Sequence, residues 1–207
     1  MTEPLPLFPL NSVLFSDGLL QLKIFETRYL DLMSRCMREQ SPFGVVALKS
    51  GAEAGRQPEG TTARMHDTGT LAHLLDVDAP TAGILHVRCR GGAQFTLGER
   101  RQEAGGLWVG DATVLEAEPD VEPAPAHANL VRSLREAVAA LEREAASPFL
   151  APHRFESAAW VADRWLDVLP LGAEAKQMLL EQRDPVKRIA IVDSLMQARA
   201  VRPPEAS

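Results

Sequence analysis

The 207-residue chain is 45% hydrophobic and 24% charged, the balance of a folded protein long enough for one large domain or two small ones. Its net charge of -6 argues against a general nucleic-acid binder or a basic membrane-surface protein, since both need a concentrated positive field. The charge is unevenly placed: residues 1–122 hold 11 Lys and Arg against 17 Asp and Glu, whereas residues 123–207 hold 11 of each.

The opening run PLPLFPLNSVLF (4–15) is apolar, but Glu3 precedes it and Pro4, Pro6 and Pro9 interrupt it, so neither a secretory signal nor a membrane anchor is expected. Prolines alternating with Leu and Phe predict an edge strand that turns Leu5, Leu7 and either Leu10 or Phe8 inward. Asp17-Gly18 marks a turn, and Leu20, Leu22 and Ile24 alternate with Gln21 and Lys23 as a half-buried strand. From Glu26 the period changes. Tyr29, Leu32, Met33, Cys36 and Met37 fall on one helical face. Phe43 to Leu48 reads as a buried strand and SGAEAGRQPEG after it as a flexible surface loop. Short strands are expected over Gly69 to Leu75, Ile84 to Arg90, Gln94 to Leu97 and Leu107 to Leu115, with GERRQEAGG as a turn-rich insert. Together they predict a closed or partly closed β body.

The acidic, proline-rich segment 116–127 predicts an extended connector. Beyond it the helical period returns: Leu130, Leu134, Val138, Leu141 and Ala145 form one stripe, and Phe155, Ala159, Ala162, Leu166 and Leu169 form a second. A third piece holds Ala175, Met178 and Leu179, and Asp184-Pro185 starts a helix running to about Val201. The fold class expected is α+β: a barrel-like β body with one embedded helix over 1–118, a linker over 119–127 and a helical bundle over 128–207.

Chemistry-bearing motifs are missing. There is no phosphate-binding loop, no nucleophile elbow and no zinc-protease pair, so no catalytic residue, cofactor or metal is expected. His66, His73, His86, His127 and His153 are scattered, and His86 and Cys89, three apart on a strand, point to opposite faces. Asp76 and Asp78, beside Ala79-Pro80, read as turn chemistry. Cys36 and Cys89 read as reduced, buried thiols of a cytoplasmic protein. Arg88, Arg90, Arg100 and Arg101 are the basic concentration of the first half; they read as solvent-facing arginines at strand ends rather than an RNA surface.

LPLFPLNSVLF, GLLQLKIFETRYLDLM, PFGVVALKSG and TGTLAHLL, in that order, resemble the N-terminal substrate-binding domain of the LON protease family in its stand-alone bacterial form. The later KQMLLEQRDPVKRIAIVDSLM resembles the helical segment that follows it. Ile24, Phe25, Glu26, Arg28, Tyr29 and Leu30 carry the family's strand-to-helix turn, with Thr27 where the family often has proline. The resemblance implies a PUA-like pseudo-barrel followed by helices. It also implies the recognition part of a proteolytic machine, since the chain ends at Ser207 without an ATPase or Ser/Lys protease motif.

A non-enzymatic protein- or peptide-binding module is therefore expected, with unfolded or partly folded polypeptides and a separate protease as partners, and with no membrane. Phe8, Phe15, Phe25, Tyr29 and Phe43 are the candidate contacts, each weighed against a core role. Glu26 is expected to cap the helix and Arg28 to anchor it to the barrel. An RNA-binding PUA-like protein and an undetected small-molecule enzyme are the alternatives.

Overall fold

The structure, a computed structural model, describes residues 4–50, 63–144 and 147–201. Apart from Ser50, the loop expected over SGAEAGRQPEG lies outside the described residues, as does Ala145. The described residues divide into two compact units. The first runs to Ala117 and takes in Gly172–Gln177; the second comprises Glu118–Leu171 and the chain from Met178 on.

The first unit holds six strands, Leu5–Leu10 (β1), Leu19–Ile24 (β2), Phe43–Ser50 (β3), Arg64–Thr81 (β4), Ile84–Gln102 (β5) and Trp108–Val114 (β6), with the helix Thr27–Glu39 (α1) between β2 and β3. The sheet order is β2-β5-β4-β3-β1-β6, and β6 also pairs with β5. Five strands thus close a ring, and β2 hangs outside it on β5.

β1 is not the edge strand its prolines suggest. It pairs antiparallel with β6 through Leu5, Pro6 and Leu7, and parallel with β3 through Leu7, Phe8, Pro9 and Leu10. Only Leu7 has a partner on both sides, so each proline sits where the strand has one neighbour and a nitrogen without a proton is tolerated. The period of two then divides the apolar residues between two cores. Leu7, Val46, Leu48, Met65, Phe95 and Leu97 form one; Phe8, Leu10, Phe43, Val45, Val87 and Cys89 pack on the α1 face in the other.

The pieces expected as separate short strands on either side of Gly83 are two long ones. β4 and β5 form a hairpin whose turn lies at Ala82-Gly83, with Gly83 at φ +79°. Asp76 and Asp78 therefore stand on β4, opposite Arg88 and His86, rather than in a turn. Within GERRQEAGG the strand persists to Gln102, and the turn is confined to the residues before Trp108.

α1 buries Tyr29, Leu32, Met33 and Cys36, but Met37 is 47% exposed. Positions i and i+4 both lie near the apolar stripe, and Met37 falls on its solvent margin.

The second unit contains the helices Ala128–Arg143 (α2), Ala158–Val168 (α3) and Pro185–Val201 (α5), and shares Ala173–Glu181 (α4) with the first by the division above. α2 buries Leu130, Leu134 and Val138. α3 starts at Ala158, with Ser157 accepting from Trp160 N as its cap, so Phe155 precedes the helix rather than belonging to its stripe. On α4 the buried side is Gln177, Leu179 and Leu180, whereas Ala175 and Met178 are exposed. α5 begins at the expected place: Asp184 Oδ1 accepts from Val186 N at 3.0 Å and Lys187 N at 3.3 Å.

The helical unit also buries charge. Arg188, 1% exposed, makes a bidentate pair with Glu118 at 2.9 and 2.5 Å and lies 3.0 Å from Asp163. Arg164, fully buried, lies 3.0 Å from Asp167. The bonds of Glu118 to Arg188, and of Val121 O to Ala158 N, hold the start of the extended connector against the helices.

Candidate functional site

The strand-to-helix turn that follows β2 brings the predicted residues into view. Ile24 is buried opposite Leu85, and the next residue, Phe25, is 58% exposed. Glu26 occupies the N-cap position with extended dihedrals, but its side chain makes no capping bond. Its carboxylate instead pairs with Arg28 Nη2 at 2.7 Å. Arg28 Nη1 donates to Gly106 O at 3.0 Å, tying α1 to the β5–β6 turn, and its guanidinium lies 4.8 Å from the Tyr29 ring. This motif is a structural clamp. Beside it, Arg28, Arg35, Asp31, Glu103 and Gly105 line a cleft of about 310 Å³ in which charges of both signs alternate.

Four of the five candidate aromatics are core residues. Phe15 and Phe43 are 1% and 0% exposed, and Tyr29 and Phe8 are buried with their rings stacked at 4.1 Å. Phe8, Tyr29 and Phe43 fill the space between α1 and the sheet, and Phe15 is buried as well, so a bound chain has no access to the four in this conformation. Burial also lifts the Tyr29 phenol above its ordinary range, with Arg28 pulling the other way. Phe25 alone among the five is uncovered.

The strands next to Phe25 bring residues together that were not among the candidate contacts. β3 pairs with β4 as far as Ala72, so beyond it the hairpin continues as a three-stranded flap, β2-β5-β4. The flap turns one apolar face toward α1, where Leu20, Leu22, Leu30, Leu74, Val77 and Leu85 are partly buried on the core. Its other face carries Gln21, Lys23, His86 and Arg88, all exposed. Leu75 sits in a register shift between Leu74 and Asp76, which leaves it 46% exposed. A strand pattern reveals which residues alternate, but not which strand ends up outermost.

The groups weighed for chemistry are dispersed. His66 lies 3.3 Å from Glu174, His127 2.7 Å from Asp193, and His153 2.8 Å from Glu142. Among the described residues no group of three or more His, Cys, Asp or Glu converges as metal ligands. Cys36 and Cys89 are both buried, and burial pushes the Cys89 thiol up to about 12, far from a reactive thiolate. Arg90 pairs with Asp17, and Arg100 pairs with Asp67 and donates to His66 O. No helix among the described residues is long and apolar enough to cross a membrane.

The model of the substrate-binding domain of the ATP-dependent protease La (LON) matches residues 4–198. The chain belongs to the LON substrate-binding domain family. It is similar over 98% of its length to a Lon N-terminal domain protein from Xanthomonas campestris, all of whose chain is covered, at 32% identity and a TM-score of 0.71. The N-terminal domain of the Lon protease of the Mycobacterium avium complex shares the fold, at 17% identity and a TM-score of 0.58 over 92% of this chain and 96% of that one. A search of the curated proteins returns no match. Family membership makes the chain a substrate-recognition module, and the α+β architecture with its closed ring of strands is the fold of the LON N-terminal domain. The Glu26, Arg28 and Tyr29 contacts tie the start of α1 to the β5–β6 turn, and Phe25 stands exposed just before them.

Proposed function

We propose that the chain is a non-enzymatic adaptor of the cytoplasm that binds exposed apolar segments of unfolded or partly folded polypeptides and passes them to a separate protease. The match to a substrate-binding domain over 4–198 carries the reading. The exposure of Phe25 beside a partly covered apolar face supports it, because a reader of many unfolded sequences works by burial and backbone pairing rather than by one shaped pocket.

The test is fluorescence anisotropy with a labelled, reduced and alkylated model polypeptide. Wild-type chain should bind it, and Phe25→Ser should weaken binding by roughly fivefold or more, as expected for an uncovered aromatic anchor, while the thermal midpoint stays unchanged. Absence of binding by the wild type, or full affinity in Phe25→Ser, overturns the respective part. The adaptor role is checked by adding the chain to a purified LON-type protease and an unfolded client: the degradation rate should rise, and an unchanged rate refutes it.

A further inference from the structure

The flap has two outer edges, and they are built differently. The β4 edge beyond Ala72 is interrupted by register shifts between Leu74 and Asp76 and between Asp78 and Thr81, and it carries Asp76, Asp78 and Pro80. Bulges, charges and proline are the devices by which proteins stop an open edge from pairing with another chain. The β2 edge has almost none of them. Leu19 to Ile24 run opposite Arg90 to Leu85 in six consecutive pairs without a register shift, and the strand contains no proline and one charge, Lys23. Among the described residues β2 has a strand neighbour on one side only. On that strand Leu20 and Leu22 are only partly buried, and Phe25 stands exposed just past its end.

We propose that β2 is the docking edge for clients, which bind as an added seventh strand. This rests on the polypeptide-binding reading above and specifies its substrate class: an extended segment of about six residues with apolar side chains at alternate positions. Those side chains would extend the apolar face begun by Leu20 and Leu22, since neighbouring strands place alternate residues on a common face. The intervening positions fall on the face of Gln21 and Lys23 and favour polar or acidic side chains, which complement the lysine. Main-chain bonds to β2 supply affinity independent of sequence, and the alternation supplies the selectivity. A segment that buries its apolar residues at helical spacing presents the wrong period and is not selected.

Two labelled peptides of identical composition, valine and glutamate in strict alternation or in helical spacing, are titrated against the full chain. The alternating peptide should bind roughly tenfold tighter or better. In a series of its singly N-methylated versions, every second methylation should weaken binding by about three- to tenfold, from loss of one main-chain bond, and those between should be silent. Equal affinity of the two peptides, or methylation that is silent throughout, overturns the strand-addition inference while the polypeptide-binding reading stands. If the chain binds the unfolded model polypeptide but neither peptide, the inference also falls. If it binds no polypeptide at all, both fall. A dimer in sedimentation that the alternating peptide fails to dissociate gives the edge to a second copy and overturns the proposal.

Discussion

Asp163 should make the helical unit lose stability as the pH rises through neutrality. Asp163 is 3% exposed and belongs to a group of three acids, Glu118, Asp163 and Asp167, and two bases, Arg164 and Arg188, of which Glu118 and Asp167 are half-buried. Arg188 is already engaged bidentately by Glu118, and Arg164 by Asp167, so Asp163 is the surplus anion. Burial pushes it from 3.8 up to about 7, against the pull of Arg188 and Arg164. Between those two values the folded chain holds a proton that the unfolded chain has lost. Its stabilising effect is complete below about pH 4 and disappears as the pH rises through about 7. The slope is at most about 1.4 kcal/mol per pH unit, which amounts to roughly 2–3 kcal/mol between about pH 5 and about pH 7. The assay is urea unfolding at constant ionic strength in a Trp108→Phe background, so that Trp160 and Trp165 on α3 report the helical unit. Asp163→Asn has no proton to lose, so the wild type should fall relative to it by that amount across the window. Asp184, held low mainly by its bond from the Lys187 amide, acts in the opposite sense at lower pH and is common to both proteins. Parallel stability curves for wild type and Asp163→Asn would refute the reasoning.

Gly91→Ala places a Cβ against Phe15 O and 3.2 Å from Leu14, while Gly91 is held by Asp17 N at 2.8 Å and by Gly18 O at 2.9 Å. It should cost about 1–3 kcal/mol, and an unchanged thermal midpoint excludes that. Phe43→Ala, at a fully buried site, should cost about 3–5 kcal/mol, whereas Phe25→Ala should stay within about 0.5 kcal/mol of wild type; equal losses in denaturant titrations would contradict the burial contrast. Arg28→Ala removes the bond to Gly106 O and the pair with Glu26 and should destabilise the barrel by about 1–3 kcal/mol. Arg28→Lys should rescue only part of this, because one ammonium does not span both acceptors as the guanidinium does. Full rescue would mean the fork is dispensable.

Much of the fold was legible because burial and periodicity go together. The switch from period two to the three-and-four spacing at Glu26 located α1, and Asp184-Pro185 marked the start of α5. What local pattern does not encode is neighbour choice. The prolines of β1 correctly excluded a strand with partners along both sides, but a strand that passes from one partner to another meets the same requirement in the middle of a sheet. Asp76-Val-Asp78 next to Ala79-Pro80 has turn composition, yet the long pairing with β5 overrides it, and the bulges absorb the misfit. The same limit applies to the candidate site. Aromatic residues were the natural choice for a sticky surface, but size draws them inward as strongly as function draws them outward. Phe25 differs from Phe43 only in falling one residue past the end of a strand, at a corner the sheet cannot cover.

The manner in which β1 closes the ring has a kinetic consequence. Its partners are β3, 37 residues along the chain, and β6, roughly 100 residues along, so the last wall cannot form until Trp108–Val114 has left the ribosome. At ordinary synthesis rates of about 5–20 residues per second, the edge of β1 that pairs with β6 waits about 5–20 seconds for its partner. Pro6 and Pro9 then act as gatekeepers: a ribbon that lacks a donor at two of six positions is a poor template for illegitimate pairing with a neighbouring nascent chain.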